Sequence, residues 1–445
     1  MFLSDILQPY FFIMESCNII KKYAVFQQKP IKGKKMNKKI ICALCATSIL
    51  VGTISGCTDS KTEENMNSAI STAESSAMSS TEVSSAEKQE GQTVVLTADT
   101  AKLVGRTYLN DDILWTAFSG SGVEFTYTGK KLDITVIGDY ASTAGNDENY
   151  ARVAIYIDGE RVVDDMLNEK EKTYTAFESD TAKSVDVQII KLSECAMSTF
   201  GIKPIKIADD EKIEPAKAKD LKIEFIGDSI TCGYGVDDEN KEHHFKTSTE
   251  DVTKAYAYKT AKALNADYSM VSISGYGIIS GYTDDGKKKP EQTIPQYYDK
   301  LGFSYNKFAD NLEVASLEWD FNNYKPDIVV INLGTNDMSY ATNDATRAEF
   351  EEGYIEFLKL VRSHNPDAYI FCTYGVMGNS LLKNIKNVCE QYSAQTGDER
   401  VRFFTLSMQD ENTNGIAADW HPSEKTHEIC AEKAVRSIKE TLGME

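Results

Sequence analysis

Between about Gln92 and Ala208 apolar and polar residues alternate with a period of two. Val123-Glu-Phe-Thr-Tyr127, Leu132-Asp-Ile-Thr-Val136, Val153-Ala-Ile-Tyr-Ile157 and Val185-Asp-Val-Gln-Ile189 read as half-buried strands. Gly129 and Asp158-Gly159 carry turn chemistry between them. Short strands at this spacing predict an antiparallel sandwich or jelly-roll domain over residues 92–210. From Leu221 the pattern changes. Ile223–Ile226, Tyr268–Ile273, Ile328–Leu333 and Tyr369–Thr373 are short continuous apolar runs. Helical stretches over Ala255–Leu264, Arg347–Ser363 and Leu381–Ser393 lie between or after them, and a last helix covers about Lys425–Leu442. Alternating strands and helices predict an α/β domain over 221–445, with a mostly parallel sheet covered on both faces. Residues 209–220, rich in Lys, Glu and Asp, read as a hinge between the two.

The first 91 residues follow neither period. Lys34, Lys35, Lys38 and Lys39 flank Met36, an apolar run follows from Ile40 to Ile54, and the run ends at Ser55-Gly56-Cys57. A basic segment, an apolar segment of about 15 residues and small residues at the exit describe a secretory signal, with Met36 as the expected start of translation. Cysteine directly after Ser-Gly resembles a bacterial lipobox. That resemblance implies a leader over residues 1–57, lipid attachment at Cys57, and a protein anchored by it to the outer face of a bacterial membrane. From Thr58 to Gly91 the chain is rich in Ser, Thr and Glu and poor in large apolar residues. Such a segment buries too little surface to offset its ordering entropy, so a disordered tether is expected.

Composition excludes more than it identifies. With 41% hydrophobic and 26% charged residues, the chain is that of an ordinary globular protein. Its net charge of -20 argues against nucleic acid as a partner, because phosphate binding needs clustered Lys and Arg. Cys195, Cys232, Cys372, Cys389 and Cys430 are scattered without CxxC spacing and read as buried free thiols. His243, His244, His364 and His427 lack metal-ligand spacing, so neither a metal nor a cofactor is expected.

Four segments fall where strands of the second domain end: Gly227-Asp-Ser229, Ser274-Gly275-Tyr276-Gly277, Gly334-Thr-Asn336-Asp337 and Asp419-Trp-His421-Pro422. The carboxyl ends of parallel strands share one edge of a sheet, so these loops can converge on one cleft. Each supplies something acyl transfer needs. Ser229 can attack a carbonyl once a base takes its proton, and His421 has the near-neutral pKa for that task. The Ser229 and Gly275 backbone amides and the Asn336 side chain can hold a tetrahedral oxyanion. Asp228 is expected to cap the nucleophile turn, and Asp337 to fix the Asn336 loop. No GxGxxG or Walker lysine follows the first strand, which speaks against a nucleotide-binding sheet.

Ser, Gly, Asn and His in this order, in GDS, a glycine loop, GTND and a late HP, resemble the SGNH (GDSL-type) hydrolases over about 221–445. The preceding β domain, with Gly105-Arg-Thr-Tyr108, Trp115-Thr-Ala-Phe-Ser-Gly120 and Ile157-Asp-Gly159, narrows the resemblance to carbohydrate esterase family 2. That family removes acetyl groups from plant cell-wall polysaccharides such as xylan and glucomannan. The resemblance implies Ser229 as nucleophile, His421 as base, Gly275 and Asn336 as oxyanion donors, and an acetylated polysaccharide as partner.

One position departs from the pattern. SGNH enzymes place an aspartate three residues before the histidine, and here that residue is Ala418. Either the Asp419 carboxylate reaches the ring, or a backbone carbonyl orients it and the site is a Ser–His dyad. Trp420 and Trp319 are candidate platforms for sugar rings, while core roles are expected of Trp115 and Tyr156. Alternative readings are another SGNH esterase (a lipase, a thioesterase or a peptidoglycan O-acetylesterase) or a non-catalytic carbohydrate-binding surface lipoprotein.

Overall fold

A computed structural model describes residues 91–309 and 311–444. The expected leader, Cys57 and all but the last residue of the tether lie outside the described residues.

The first domain is an all-antiparallel β domain. Its main sheet is built around two long strands, Gly122–Gly138 and Glu171–Lys191, which pair along most of their length. The two runs at 123–127 and 132–136 therefore belong to one strand. Gly129 is not a hairpin turn but the site of a register shift, where the strand bends and the Tyr127 hydroxyl donates to the Lys131 carbonyl at 2.8 Å. Such irregularities raise local twist and curve a sheet over its core. Asp158-Gly159 does make the tight turn between Arg152–Ile157 and Glu160–Met166, both residues having positive φ. Inward positions such as Val123, Phe125, Leu132, Ile134, Val153 and Ile189 form the core.

The second domain carries five parallel strands in the spatial order Ala266–Ser272, Leu221–Gly227, Ile328–Asn332, Tyr369–Tyr374, Val401–Thr405. Central strands read as continuous apolar runs because helices cover both faces. The helix Asp344–His364 starts at a capping box between Asn343 and Thr346 and buries Phe350, Tyr354, Phe357, Leu358 and Val361 on one stripe. The final helix, Glu424–Leu442, starts at the Ser423 cap, three residues after Trp420.

Residues 209–220 are not a free hinge. Lys212–Pro215 pairs with Phe125–Thr128 as an edge strand. Apolar residues of the two domains also share cores: Ala154, Ile190 and Leu192 pack in one cluster with Phe225, Tyr256 and Tyr268. Arg106 of the first domain is wholly buried, donates to the Tyr298 carbonyl at 2.6 Å and lies 3.7 Å from Glu224. A buried guanidinium is tolerated only with such partners. The β domain is thus a fixed wall of the second domain.

Candidate active site

Ser229 is the first residue of a single helical turn, Ser229–Cys232, separated by Asp228 from the interior strand Leu221–Gly227. Asp228 caps that turn, its carboxylate accepting from the Ile230 amide at 3.0 Å. The cap is wholly buried, and burial raises its pKa to about 7, with the Asp337 charge adding to the effect. A short helix set on a strand end places the serine at the sheet edge and fixes its backbone.

His421 comes to the same edge from the loop before the final helix. Its Nε2 lies 2.9 Å from Ser229 Oγ, and its Nδ1 lies 3.0 Å from the Asp419 backbone carbonyl. A carbonyl can only accept, so Nδ1 carries the proton and Nε2 is the lone-pair nitrogen facing the serine hydroxyl. The ring is half-buried, and loss of solvation lowers its pKa to about 4, against the opposing pull of the Asp419 carbonyl.

The ring's hydrogen bond goes to the Asp419 backbone carbonyl, while the Asp419 carboxylate bonds elsewhere, the arrangement of the dyad alternative. Asp419 and Trp420 both have positive φ, 49° and 63°. Two successive non-glycine residues in the left-handed region are strained, by about 1–3 kcal/mol each. The local twist turns the Asp419 carbonyl inward to Nδ1 and its carboxylate outward, where it accepts from Tyr234 Oη at 3.0 Å and the Phe245 amide at 2.8 Å. Bonds from Asp419 N–H to His243 O and from Ala418 N–H to Asp238 O hold the loop. Gly235, at φ 65°, lies against it so closely that a Cβ would sit 2.9 Å from the Ala418 methyl.

The third and fourth loops face this pair. Gly275 has φ 81° and open space where a side chain would stand. Among the described residues, neither its N–H nor that of Ser229 has a protein acceptor. Asn336 Nδ2 is held between the Tyr276 carbonyl at 2.8 Å and Asp228 at 3.3 Å. Asp337 ties the two loops together, its buried carboxylate accepting from the Ile278, Ile279 and Ser280 amides at 2.8–3.1 Å. The β domain contributes as well. Buried Glu194 accepts from the Ser274 amide at 3.0 Å, and Glu250 in turn accepts from the Glu194 amide at 2.7 Å. Glu194 was not readable as a site residue, because an isolated Glu in a loop carries no local signal of a contact 80 residues away.

The two tryptophans differ. Trp420 is 43% exposed beside His421, with the Lys241 ammonium 4.2 Å from its ring centroid. Trp319 is only 9% exposed, and its ring packs on the Arg106 guanidinium 5.3 Å away. It is a core residue, not a sugar platform, because the buried cation needs its face. Trp115 packs edge-on against Phe308, and the Tyr156 hydroxyl accepts from Arg161 at 2.8 Å, so both serve packing. Cys195, Cys232, Cys372, Cys389 and Cys430 are free and buried.

A nucleophile on a strand–helix elbow, a carbonyl-oriented histidine and converging Gly and Asn loops define an SGNH (GDSL-type) hydrolase domain. Residues 225–429 match the GDSL-like lipase/acylhydrolase family, and residues 103–216 match the carbohydrate esterase 2 N-terminal domain. The chain thus carries a GDSL-like lipase/acylhydrolase domain preceded by a carbohydrate esterase 2 N-terminal domain. It is 31% identical over 331 residues to the cellulase/esterase CelE of Acetivibrio thermocellus, covering 74% of this chain and 38% of that protein. It is 24% identical over 345 residues to an acetylxylan esterase / glucomannan deacetylase of Cellvibrio japonicus, covering 77% and 88%. The structure of an acetyl xylan esterase (Est2A) from Butyrivibrio proteoclasticus superposes with a TM-score of 0.70 at 27% identity, covering 80% of this chain and 98% of that one.

Proposed function

We propose that the protein is a serine esterase that removes O-acetyl groups from plant cell-wall polysaccharides, xylan or glucomannan. The contact of 2.9 Å between His421 Nε2 and Ser229 Oγ, with Nδ1 on a carbonyl, carries the reading. The names of the relatives supply the substrate class. As Ser229 Oγ attacks the acetyl carbonyl, its proton passes to Nε2. The oxyanion forms opposite the free Ser229 and Gly275 amides and the Asn336 amide. Collapse breaks the bond to the sugar oxygen, which takes the proton from His421 and leaves as the alcohol. Water then adds to the acetyl-enzyme by the same route reversed, releasing acetate and restoring Ser229. Trp420, on the exposed rim beside His421, offers a flat apolar face to the C–H side of a sugar ring. The substrate panel that tests this compares chromogenic acetate and long-chain acyl esters with acetylated xylan and glucomannan. Acetyl-restricted hydrolysis with acetate release from a polymer supports the reading, and preference for long acyl chains would contradict it.

The depressed pKa of His421 sets the pH dependence. The base must be neutral, and with a pKa near 4 it stays neutral down to that pH. The acid limb of kcat/KM is therefore expected near pH 4, well below the ordinary histidine value of 6.5. A pH–rate profile on a neutral acetate ester measures it, and a limb near 6.5 would contradict the desolvated ring.

We further propose that Cys57 carries a lipid that holds the enzyme at the outer surface of a bacterial membrane, on the strength of Ser55-Gly56-Cys57 after an apolar run. Cys57→Ala is expected to move the protein from the membrane fraction to the medium or to leave an uncleaved precursor, read by fractionation and by labelling with a radioactive fatty acid. Equal labelling of variant and wild type would contradict it.

A further inference from the structure

The nucleophile segment continues into Cys232-Gly-Tyr234-Gly235, and neither Tyr234 nor Phe245 takes part in the chemistry above. In the structure both are built around the base. The His421 ring stacks on Tyr234 with centroids 4.0 Å apart and planes at 28°, and Tyr234 stacks on Phe245 at 4.0 Å and 19°. Two rings cannot lie that close to the same face, so Tyr234 is sandwiched between histidine and phenylalanine. One carboxylate oxygen, Asp419 Oδ2, binds both the Tyr234 hydroxyl and the Phe245 amide, and Oδ1 lies 3.1 Å from His244 Nδ1.

We propose that Tyr234 is the positioning residue for His421, and that the Asp419 carboxylate acts through Tyr234 and Phe245 instead of through the imidazole. This deepens the esterase reading and rests on it for the role of the base. A single bond from Nδ1 to a carbonyl fixes one point of the ring but leaves rotation about its Cβ–Cγ bond soft. A face-to-face neighbour fixes the plane, and so the direction of the Nε2 lone pair toward Ser229. The same π face lies under the imidazolium that forms when the serine proton is taken, which favours that charged intermediate. The loop thus replaces the usual carboxylate–imidazole contact with two parts, a carbonyl for the tautomer and a stacked phenol for the plane.

The groups facing His421 are Ser229, the Asp419 carbonyl and Tyr234, with the Asp419 carboxylate and His427 of the final helix within electrostatic reach. Behind Tyr234 stand Asp419, Glu194 and Glu250. Removing the Tyr234 ring opens one face of His421 to water without removing any of these charges, because the phenol, its pKa raised by burial and by Asp419, is neutral.

The test compares Tyr234→Leu, Tyr234→Phe and Asp419→Asn with the wild type by kcat and KM on a chromogenic acetate. The His421 ring is also titrated by NMR in 15N-histidine-labelled protein. Tyr234→Leu is expected to lower kcat by about tenfold or more with KM nearly unchanged, because the base is misaimed. Its His421 midpoint should rise toward 6.5 as the ring is rehydrated. Tyr234→Phe keeps the stack and should recover most of the rate, and Asp419→Asn should fall between the two. Wild-type kcat and an unmoved midpoint in Tyr234→Leu would overturn the proposal, as would equal losses in the Leu and Phe variants. If Tyr234→Leu does not fold, Phe245→Leu takes its place, with a smaller change of the same sign expected and no change overturning the proposal. The titration needs no turnover, so it decides on the stack even if the wild type hydrolyses no acetyl ester, the result that would sink the esterase reading alone.

Discussion

Ser229→Ala and His421→Ala are each expected to lower kcat on an acetate ester by about 10⁴-fold or more, with the double variant losing little beyond either single one. The two side chains act as a unit, since the serine is a weak nucleophile without a base and the base has nothing to activate without the serine. Their contact is 2.9 Å, within hydrogen-bond reach. Residual hydrolysis in each variant would come from the oxyanion donors. Asp419→Ala belongs to a different scale. Its carboxylate lies on Tyr234 and Phe245, and the carbonyl that holds Nδ1 survives the substitution, so the loss should be far smaller than that of His421→Ala. Steady-state kinetics on the four proteins measure the ranking. A loss in Asp419→Ala equal to that in His421→Ala would mean that the carboxylate does reach the ring during the reaction.

The second large effect is expected at Asn336. Asn336→Ala should cost about 10²–10³ in kcat with little change in KM, the pattern for a donor whose bond strengthens only as charge develops on the oxygen. Asn336 Nδ2 has two hydrogens, one donated to the Tyr276 carbonyl at 2.8 Å and one to Asp228 at a longer 3.3 Å, and it is the Asp228 bond that the oxyanion would replace. Asn336→Asp would replace donors by a charge beside the buried Asp228 and Asp337, and its activity should be lower still. Equal kcat for Asn336→Ala and wild type would remove Asn336 from the oxyanion site. Reading kcat and KM separately distinguishes this from loss of substrate binding.

The chain order of Ser229, Gly275, Asn336 and His421 was legible in the sequence because each sits at the end of an apolar run or before a helix start. A parallel sheet necessarily gathers such points on one edge. The central strands were readable for the same reason, being apolar throughout. Val401–Thr405 was not, since it is an edge strand with Arg402 exposed and only Val401 and Phe404 buried. Gly129 looked like a hairpin turn because glycine marks bends and turns alike, and only the pairing of both halves with one partner strand separates them. The direction of the Asp419 carboxylate depends on two left-handed residues, and nothing in Asp-Trp marks that conformation. Trp319 could be placed only by its partner, since Arg106 lies more than 200 positions earlier and meets it through the domain junction. Glu194 and Tyr234 share this character: their roles arise from contacts with distant segments.

The shared cores and the Glu194–Ser274 bond tie the β domain to the Gly275 loop. Ser274 precedes Gly275, so a carboxylate of the first domain holds the loop that carries the proposed oxyanion donor. The domain is then a structural support of the Gly275 loop.

The most direct measurement is peptide mass spectrometry of the enzyme quenched in acid during turnover of an acetate ester. A single acetyl group on the peptide containing Ser229, absent from Ser229→Ala, is the predicted result. Turnover without any acetylated Ser229, together with wild-type acetate release by Ser229→Ala, would contradict the serine esterase mechanism.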